Sequence, residues 1–323
     1  MFRIAPLFAA LCALLTAAAA AADTYPQRPI RLIAPFPPGG GVDINARLLA
    51  DPLGKALGQT VVVDNRPGAG GRLGIELVSQ AIPDGYTLGL GGIGMAISRA
   101  LYKKLPYDTL RDFIPISLLA GQPNILVAHP AIPAKSFQDF IALARSQPGA
   151  LSYGSPGVGT GTHLATVLLL ISQKVDLLHV PYKGASPALT ALLSQEIMVY
   201  LSTFASALPL VKSGRLRAYG VTGAQRAPSL PEVPTIAESG VPGYEYTTWY
   251  GLVAPAGVPR TIIDRLNKAT VAVLNTPEIR QLYESQGLDP IPSTSAHYAA
   301  YLKAETEKWT KAVRAAKIEL ELQ

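Results

Sequence analysis

The chain has 323 residues, of which 49% are hydrophobic and 15% are charged, and its formal net charge is +6. This length is typical of about two domains, and the unpatterned glycines and prolines exclude a low-complexity chain. The basic residues are scattered, which argues against a nucleic-acid-binding protein but leaves a mildly positive surface that favours anionic small molecules.

The N-terminus has the pattern of a secretory signal peptide. Arg3 supplies one positive charge, and an uncharged run rich in leucine and alanine continues to Asp23. The leucine-rich part is too short for a transmembrane anchor, so we predict a signal peptide over residues 1–22, cleaved near Ala22. Cys12 is the only cysteine and lies in this segment, which leaves no disulfide or thiol nucleophile after cleavage. We therefore expect the mature protein in a bacterial periplasm.

Strand-like and helical segments alternate through the first third of the mature chain. Strands are predicted at 30–36, 60–65 and 83–92, and helices at 44–58, within 66–81 and at 93–102. Pro52 is expected to kink the first helix or to end its first half early. The βαβαβ order predicts an α/β fold with a parallel sheet.

A second α/β unit follows, and the chain then ends in helices. Strands are predicted at 123–129, 151–155, 174–182, 197–203 and 215–222, with helices at 136–148, 161–172, 186–195 and 207–214 between them. Ser136 and Asp139 have the spacing of a helix cap. The proline-rich segment 228–259 is expected to be a crossover or an ordered loop, and helices are predicted at 260–275, 276–287 and 295–316. In this order of segments the chain forms one lobe, then a second, and returns to the first. The order predicts two lobes with a hinge and a cleft between them.

Several catalytic motifs are weak or missing. The G-x-G-x-x-G match at 89–94 closes the third strand of an exported protein, which argues against a dinucleotide site. Ser155 lies in a motif that has Tyr153 where a nucleophile elbow requires glycine. The alternative is an exported serine hydrolase, in which Ser155 is the nucleophile. His163 or His179 would be its base, and Asp176 its orienting acid. No phosphate loop with its lysine occurs, and the four histidines lack metal-ligand spacing. We expect no metal, no cofactor and no enzymatic activity.

Three glycine-rich turns connect predicted strands to predicted helices, at 35–43, 89–95 and 153–163. Helix N-termini carry unpaired N–H groups and partial positive charge, so they bind anions without a basic side chain. In open α/β sheets, ligands bind at the carboxyl ends of the strands, where these turns lie. Two such lobes facing each other predict a receptor for a small carboxylate.

The motifs "PFPPGGGVD", "VVVDNRPGAGG", "YGSPGVGTGTHLA" and "HVPYKG", in this order, resemble the Bug receptors, the periplasmic substrate-binding proteins of tripartite tricarboxylate transporters. The resemblance covers essentially the whole mature chain. It implies a two-lobed Venus-flytrap fold, with residues 23–124 and 246–323 in lobe 1 and residues 125–245 in lobe 2. It also implies a receptor, expected to be monomeric, that delivers a small carboxylate to membrane permease subunits. A receptor that signals to a membrane sensor is the alternative.

The resemblance and the glycine-rich turns give a set of predicted ligand-binding residues. They are Phe36, Pro37, Gly39, Gly40, Gly41, Val42, Asp43, Gly92, Met95, Ser155, Gly157, Gly159, Thr160, Thr162, Tyr182, Lys183, Gly184, Ser202 and Thr203. Asp43 is expected to stabilise the first turn of its helix and to organise the loop or its waters. Relatives often carry acids in the segment that is Met198 to Thr203 here, and Ser202 cannot form an ion pair with an amino group. We therefore predict an acid without an amino group as the ligand.

Overall fold

The computed structural model describes residues 25–102 and 104–315, so the predicted signal peptide, 1–22, lies outside the described residues. The strands are β1 Ile30–Ala34, β2 Val61–Asn65, β3 Thr87–Gly92, β4 Phe113–Ala128, β5 Ser152–Ser155, β6 Leu178–Pro181, β7 Val199–Thr203, β8 Arg217–Val221, β9 Thr247–Pro255 and β10 Asp289–Pro290. The helices are α1 Gly41–Leu57, α2 Arg72–Ser79, α3 Ile93–Leu101, α4 Phe137–Ser146, α5 Gly161–Gln173, α6 Ala185–Leu193, α7 Phe204–Lys212, α8 Arg260–Leu274, α9 Pro277–Ser285 and α10 Ser295–Ala315, and a short 3₁₀ helix spans Ala69–Gly71.

The predicted α/β, two-lobed fold is confirmed, but the sheet is mixed instead of parallel. Strands β2, β1 and β3 are parallel, whereas β9 runs antiparallel to both β3 and β4. β9 lies within the proline-rich segment 228–259, which we predicted to be a crossover or loop. The flanking prolines concealed a strand that becomes buried along nearly all its length because neighbours pair with it on both sides.

Strand β4 belongs to both lobes. Residues 113–123 pair with β9, and residues 124–128 pair with β7 and β8. Only its last part was predicted, as a strand over 123–129, and Pro115 interrupts the part that was not predicted. The second lobe adds β5 between β7 and β6, in parallel with both.

Helix α1 continues through Pro52 from Gly41 to Leu57, so the expectation that it would end early is wrong. Its buried face includes Leu49 and Leu53, on either side of the proline. The packing of this apolar face against the core outweighs the hydrogen bond that proline removes.

Two of the three C-terminal helices, α8 and α10, pack on the earlier strand β4, as predicted, whereas α9 contacts β10, which follows it, and α1. α10 contacts α3 and β4, and α8 contacts α1 and β4. Within residues 25–102 and 104–315, no helix is long and apolar enough to cross a membrane.

Candidate ligand-binding site

A cavity of about 100 Å³ lies where the two lobes meet, and the starts of six helices line it. Its lining includes residues 40–42 at α1, Gly71 and Arg72 at α2, residues 92–95 at α3, residues 160–162 at α5, Ala185 at α6 and Thr203 directly before α7. None of these helices has a hydrogen bond from an N-cap side chain. At α1 and α5 the first N–H groups have no hydrogen-bond partner among the described residues and are available to a ligand. At α2 the Leu73 N–H is bonded to the Gly68 carbonyl, and at α7 the Ala205 N–H is bonded to Gln122 Oε1.

The charges around the cavity favour an anion. Arg72 is the charged residue in its lining, and no Asp or Glu among the described residues lines it. The helix N-termini add partial positive charge at the same place. We expected anion binding without a basic side chain, so Arg72 corrects that expectation. The sequence signal was present, because Arg72 directly follows the glycines of the motif "VVVDNRPGAGG".

Aromatic side chains form much of the wall, and three of them come from β9 or the residue before it. The aromatic lining residues are Phe36, Tyr107, Tyr200, Tyr246, Trp249 and Tyr250. None except Phe36 was predicted as a site residue, and the three at β9 were missed because β9 was interpreted as part of a loop. These rings give the cavity an apolar body around its polar helix starts.

Several hydroxyls at the cavity are buried and have no hydrogen-bond partner within the described part of the chain. They belong to Thr162, Tyr200 and Tyr246, which are 6%, 1% and 3% exposed. Burial raises the pKa of Tyr200 and of Tyr246 well above the usual tyrosine value, so both hydroxyls keep their protons. Because an unpaired buried hydroxyl is unfavourable, these groups are suited to donate to a bound acceptor.

Two glycines are required by the close approach of tyrosine hydroxyls. A Cβ at Gly41 would collide with the Tyr250 hydroxyl and lie 2.8 Å from Gln122 Nε2. A Cβ at Gly161 would collide with the Tyr246 hydroxyl. Glycine at both helix starts thus lets the backbone come close to the cavity.

Asp43 lies behind the first-lobe loop and does not line the cavity. Its Oδ2 accepts from the Gly39 N–H at 3.0 Å, and its Oδ1 accepts from Asn65 Nδ2 at 2.9 Å. Arg47 Nε donates to both oxygens at 3.0 Å. Burial alone would raise the pKa of the Asp43 carboxyl, but these hydrogen bonds outweigh burial and hold the pKa below its usual value. The carboxylate fixes the loop and does not contact the cavity.

A serine and two histidines fix the corresponding loop of the second lobe. His179 Nε2 lies 2.7 Å from Ser155 Oγ, and the His163 ring stacks on His179 with 4.1 Å between centroids. The Gly159 N–H donates to His163 Nδ1 at 3.2 Å. Burial lowers the pKa of His163 to about 3, and the neighbouring His179 adds to this shift. His163 is therefore a neutral acceptor that holds the backbone of the loop.

The predicted site residues fall into three groups. Phe36, Gly40, Gly41, Val42, Gly92, Met95, Thr160, Thr162 and Thr203 line the cavity. Pro37, Gly157, Tyr182 and Lys183, again with Phe36, line a more open groove outside it. Gly39, Asp43, Ser155, Gly159, Gly184 and Ser202 line neither.

The residues of the third group support the loops or the contact between lobes. Ser202 is fully buried, and its Oγ donates to the carbonyl of Thr203 at 3.1 Å. Ser206 Oγ donates to the Gly39 carbonyl at 3.3 Å across the cleft. A Cβ at Gly184 would lie 2.7 Å from the Pro37 ring. Their positions in the sequence motifs reflect loop geometry, which sequence alone does not separate from ligand contact.

A metal site is not part of this arrangement. Across the residues that the structure describes, no three His, Cys, Asp or Glu side chains come close enough together to hold a metal ion.

The fold and the cavity between its lobes define a class, the two-lobed periplasmic binding proteins. The periplasmic binding protein BugD superposes with a TM-score of 0.89 at 32% identity, covering 91% of this chain and 99% of that one. The R. palustris protein Rpa4515, solved with adipate, superposes with a TM-score of 0.89 at 34% identity, covering 91% and 99%.

Sequence comparison gives the family. A family profile described as "Tripartite tricarboxylate transporter family receptor" matches residues 45–318. The chain is 41% identical over 296 residues to the UPF0065 protein in the tcbD-tcbE intergenic region of Pseudomonas sp. (strain P51), covering 90% of this chain and 87% of that protein. The chain belongs to the tripartite tricarboxylate transporter receptor family, which confirms the predicted resemblance.

Proposed function

We propose that the protein is a periplasmic receptor that binds a small carboxylate in the cavity between its lobes and delivers it to the membrane permease of a tripartite tricarboxylate transporter. The observation that carries this proposal is the convergence of six helix N-termini, none of them capped by its own N-cap side chain, on one cavity whose described lining contains no acidic residue. A carboxylate is the small anion that matches these donors, and family membership supports its delivery to a permease.

The energetics are sufficient for a receptor. A hydrogen bond to a charged group contributes about 1.5–3 kcal/mol, and it is strongest where water is excluded. A few such bonds, together with burial of the ligand between aromatic rings, give about 8 kcal/mol and micromolar affinity. Binding and closure, without a chemical step, then account for the function.

Closure brings the loops of the two lobes into contact. Ser186 Oγ donates to the Pro38 carbonyl at 2.7 Å, and a Cβ at Gly70 would lie 3.0 Å from the Val158 carbonyl. We propose residues 125–245 as the second lobe and the rest of the mature chain as the first. β4 and β9 would then supply the hinge, near Pro123 and Thr247, which are paired in register.

The ligand is proposed to be an acid without an amino group. An ammonium group needs an acceptor, and no carboxylate in the described chain lines the cavity. That the related Rpa4515 was solved with adipate, an acid of this kind, supports the proposal.

Mass spectrometry of the purified protein under native conditions, followed by a thermal-shift panel of mono-, di- and tricarboxylates and amino acids, tests the function. We expect a co-purifying carboxylate, a rise in melting temperature with some acids, and no change in the acid during incubation. A panel in which no acid changed the melting temperature, with no acid co-purifying, would contradict the proposal.

A serine hydrolase is a second candidate because His179 lies 2.7 Å from Ser155 Oγ. Against it, Ser155 does not line the cavity, and Asp176, the predicted orienting acid, is exposed and has no hydrogen bond to His179 within the described residues. Ester cleavage that disappears in Ser155→Ala would favour the hydrolase. Absence of cleavage in the wild type would remove it.

Further parts of the proposal concern the partner and the assembly. We propose a monomer in the periplasm, exported by the segment 1–22, that supplies a permease and not a membrane sensor. Size-exclusion chromatography with light scattering tests the first point. Uptake of the bound acid by cells with and without the gene tests the second, because a receptor that only signals would leave uptake by an already expressed permease unchanged.

A further inference from the structure

Arg72 occupies an unusual position at the boundary of two spaces. The inner cavity and the outer groove share Phe36, Gly70, Gly71, Arg72 and Pro156 in their linings. Arg72 is the first residue of α2 and is partly buried. Its Cζ lies 5.3 Å from the centroid of the Tyr102 ring, which lines the groove.

The side chain of Arg72 has no anionic partner among residues 25–102 and 104–315. Its buried Nε–H donates to no described residue, and no described carboxylate lies within 4.0 Å of its nitrogens. Glu76 lies one turn further along α2, and its Oε1 accepts from Gln80 Nε2 at 3.3 Å. The Arg72 guanidinium therefore has no counter-charge among the described residues.

This placement is unfavourable unless an anion arrives. The N-terminus of a helix is its positive end, so a cation at the first position of α2 is repelled there. A partly buried guanidinium with an unpaired N–H adds a cost of desolvation. Both effects disappear when an anionic group binds beside Arg72.

We propose that Arg72 is a specificity-determining residue that binds a second carboxylate of the ligand, so that the receptor selects dicarboxylates. One carboxylate binds the helix starts inside the cavity, and the other meets the guanidinium at the opening to the groove. The aromatic wall then surrounds a short apolar body between the two. This inference rests on the proposed function and narrows its ligand class.

Calorimetric titration with acids matched in length tests the inference. The pairs are succinate and butyrate, glutarate and pentanoate, and adipate and hexanoate, and the proteins are wild type, Arg72→Gln, Arg72→Lys and Arg265→Gln. Arg265 is an exposed arginine on α8 that lines neither space, so its variant controls for the loss of one charge.

In the wild type, we expect the best dicarboxylate to bind at least about 30-fold more tightly than its matched monocarboxylate. Arg72→Gln should lose roughly 10- to 100-fold in dicarboxylate affinity and less than about 3-fold in monocarboxylate affinity. The dicarboxylate affinity of Arg72→Lys should lie between those of the wild type and Arg72→Gln, because lysine keeps the charge but not the paired donors. Arg265→Gln should match the wild type.

The failures are distinguishable. Equal affinity of the wild type for both members of every pair, or an equal loss of both in Arg72→Gln, would overturn the role of Arg72 and leave a carboxylate receptor. If the wild type bound none of the six acids, this inference would be overturned. The proposed function on which it rests would then also be overturned for small aliphatic acids. If Arg72→Gln does not fold, as judged by its unfolding transition, the wild-type pairs and Arg72→Lys decide. A dicarboxylate preference in Arg72→Lys that is retained but smaller than in the wild type supports the role of Arg72, and no preference in the wild type refutes it.

Discussion

Helix α4 and the cavity helices α1 and α5 begin in related ways but differ in the hydrogen bonds of the N-cap residue. In each, the side chain three residues after the N-cap accepts from the backbone N–H of the residue before the N-cap. Asp139 accepts from Lys135, Asp43 from Gly39 and His163 from Gly159. At α4, Ser136 also caps the helix by accepting from the Asp139 N–H at 3.1 Å.

At the cavity this last bond is missing. The N-cap of α1 is Gly40, which has no side chain, and the Thr160 hydroxyl at α5 donates to the Gly157 carbonyl instead of capping its helix. The loops are thus held in place while the first N–H groups of the helices stay unpaired. The difference separates a helix start built for stability from helix starts built for a ligand.

The largest expected effect comes from filling the space beside a cavity helix. Gly41→Ala should weaken ligand binding by at least about 100-fold and lower the free energy of unfolding by about 1–3 kcal/mol, because its Cβ would collide with the Tyr250 hydroxyl. Titration calorimetry and urea unfolding measure both. Gly121→Ala is the control, since its Cβ would meet nothing closer than 3.7 Å. Unchanged affinity in Gly41→Ala would end the assignment of α1 to the site.

Acid should destabilise the His163 loop. The unfolded chain binds a proton at this histidine below pH 6.5 or so, whereas folded His163, with its pKa of about 3, stays neutral. The unfolded state therefore takes up the proton first, and stability falls as the pH falls from about 6.5 towards 3.

At pH 5 this loss is about 2 kcal/mol relative to pH 7. Urea unfolding at both pH values should show a smaller loss in His163→Asn, whose side chain cannot titrate. A variant with the same pH dependence as the wild type would show that His163 is already protonated or not buried. Asp43, whose pKa is lowered, keeps its charge over this range, so the first-lobe loop should resist acid where the second-lobe loop does not.

The unpartnered tyrosine hydroxyls give a matched pair. Tyr246→Phe should weaken ligand binding about 10-fold and leave the free energy of unfolding equal or raised by up to about 1 kcal/mol, because the buried hydroxyl has no protein partner among the described residues. Tyr298 also has a fully buried, unpartnered hydroxyl, but it does not line the cavity. Tyr298→Phe should therefore change stability in the same direction and affinity not at all. Equal affinities for the two variants would remove the Tyr246 hydroxyl from the site.

The smallest effect is expected at the capped helix. Ser136→Ala should lower the free energy of unfolding by about 1 kcal/mol through loss of the cap, with ligand affinity unchanged. Chemical denaturation and calorimetric titration measure the two. Weaker ligand binding in this variant would contradict the expectation that the cap of α4 contributes to stability and not to the cavity.

The sequence by itself determined the glycine-rich helix starts, the cap of α4 and the family, because these depend on short contiguous segments whose backbone requirements are local. Eight of the nine predicted residues that line the cavity belong to such segments, and the ninth, Thr203, ends a predicted strand. Loop-supporting residues such as Asp43 and Gly159 could not be told from ligand contacts, since both roles require the same motif.

Only the tertiary structure decided what surrounds those helix starts. Tyr246, Trp249 and Tyr250 reach the cavity because β9 returns after the whole second lobe and pairs between β3 and β4, a register that no local pattern specifies. Arg72 follows the motif "VVVDNRPGAGG", but its lack of an anionic partner among the described residues depends on the positions of residues far apart in the chain. The sequence thus determined the N–H donors at the helix starts. Long-range packing determined the aromatic wall of the cavity and the environment of Arg72, because strand pairing and burial are properties of the whole fold.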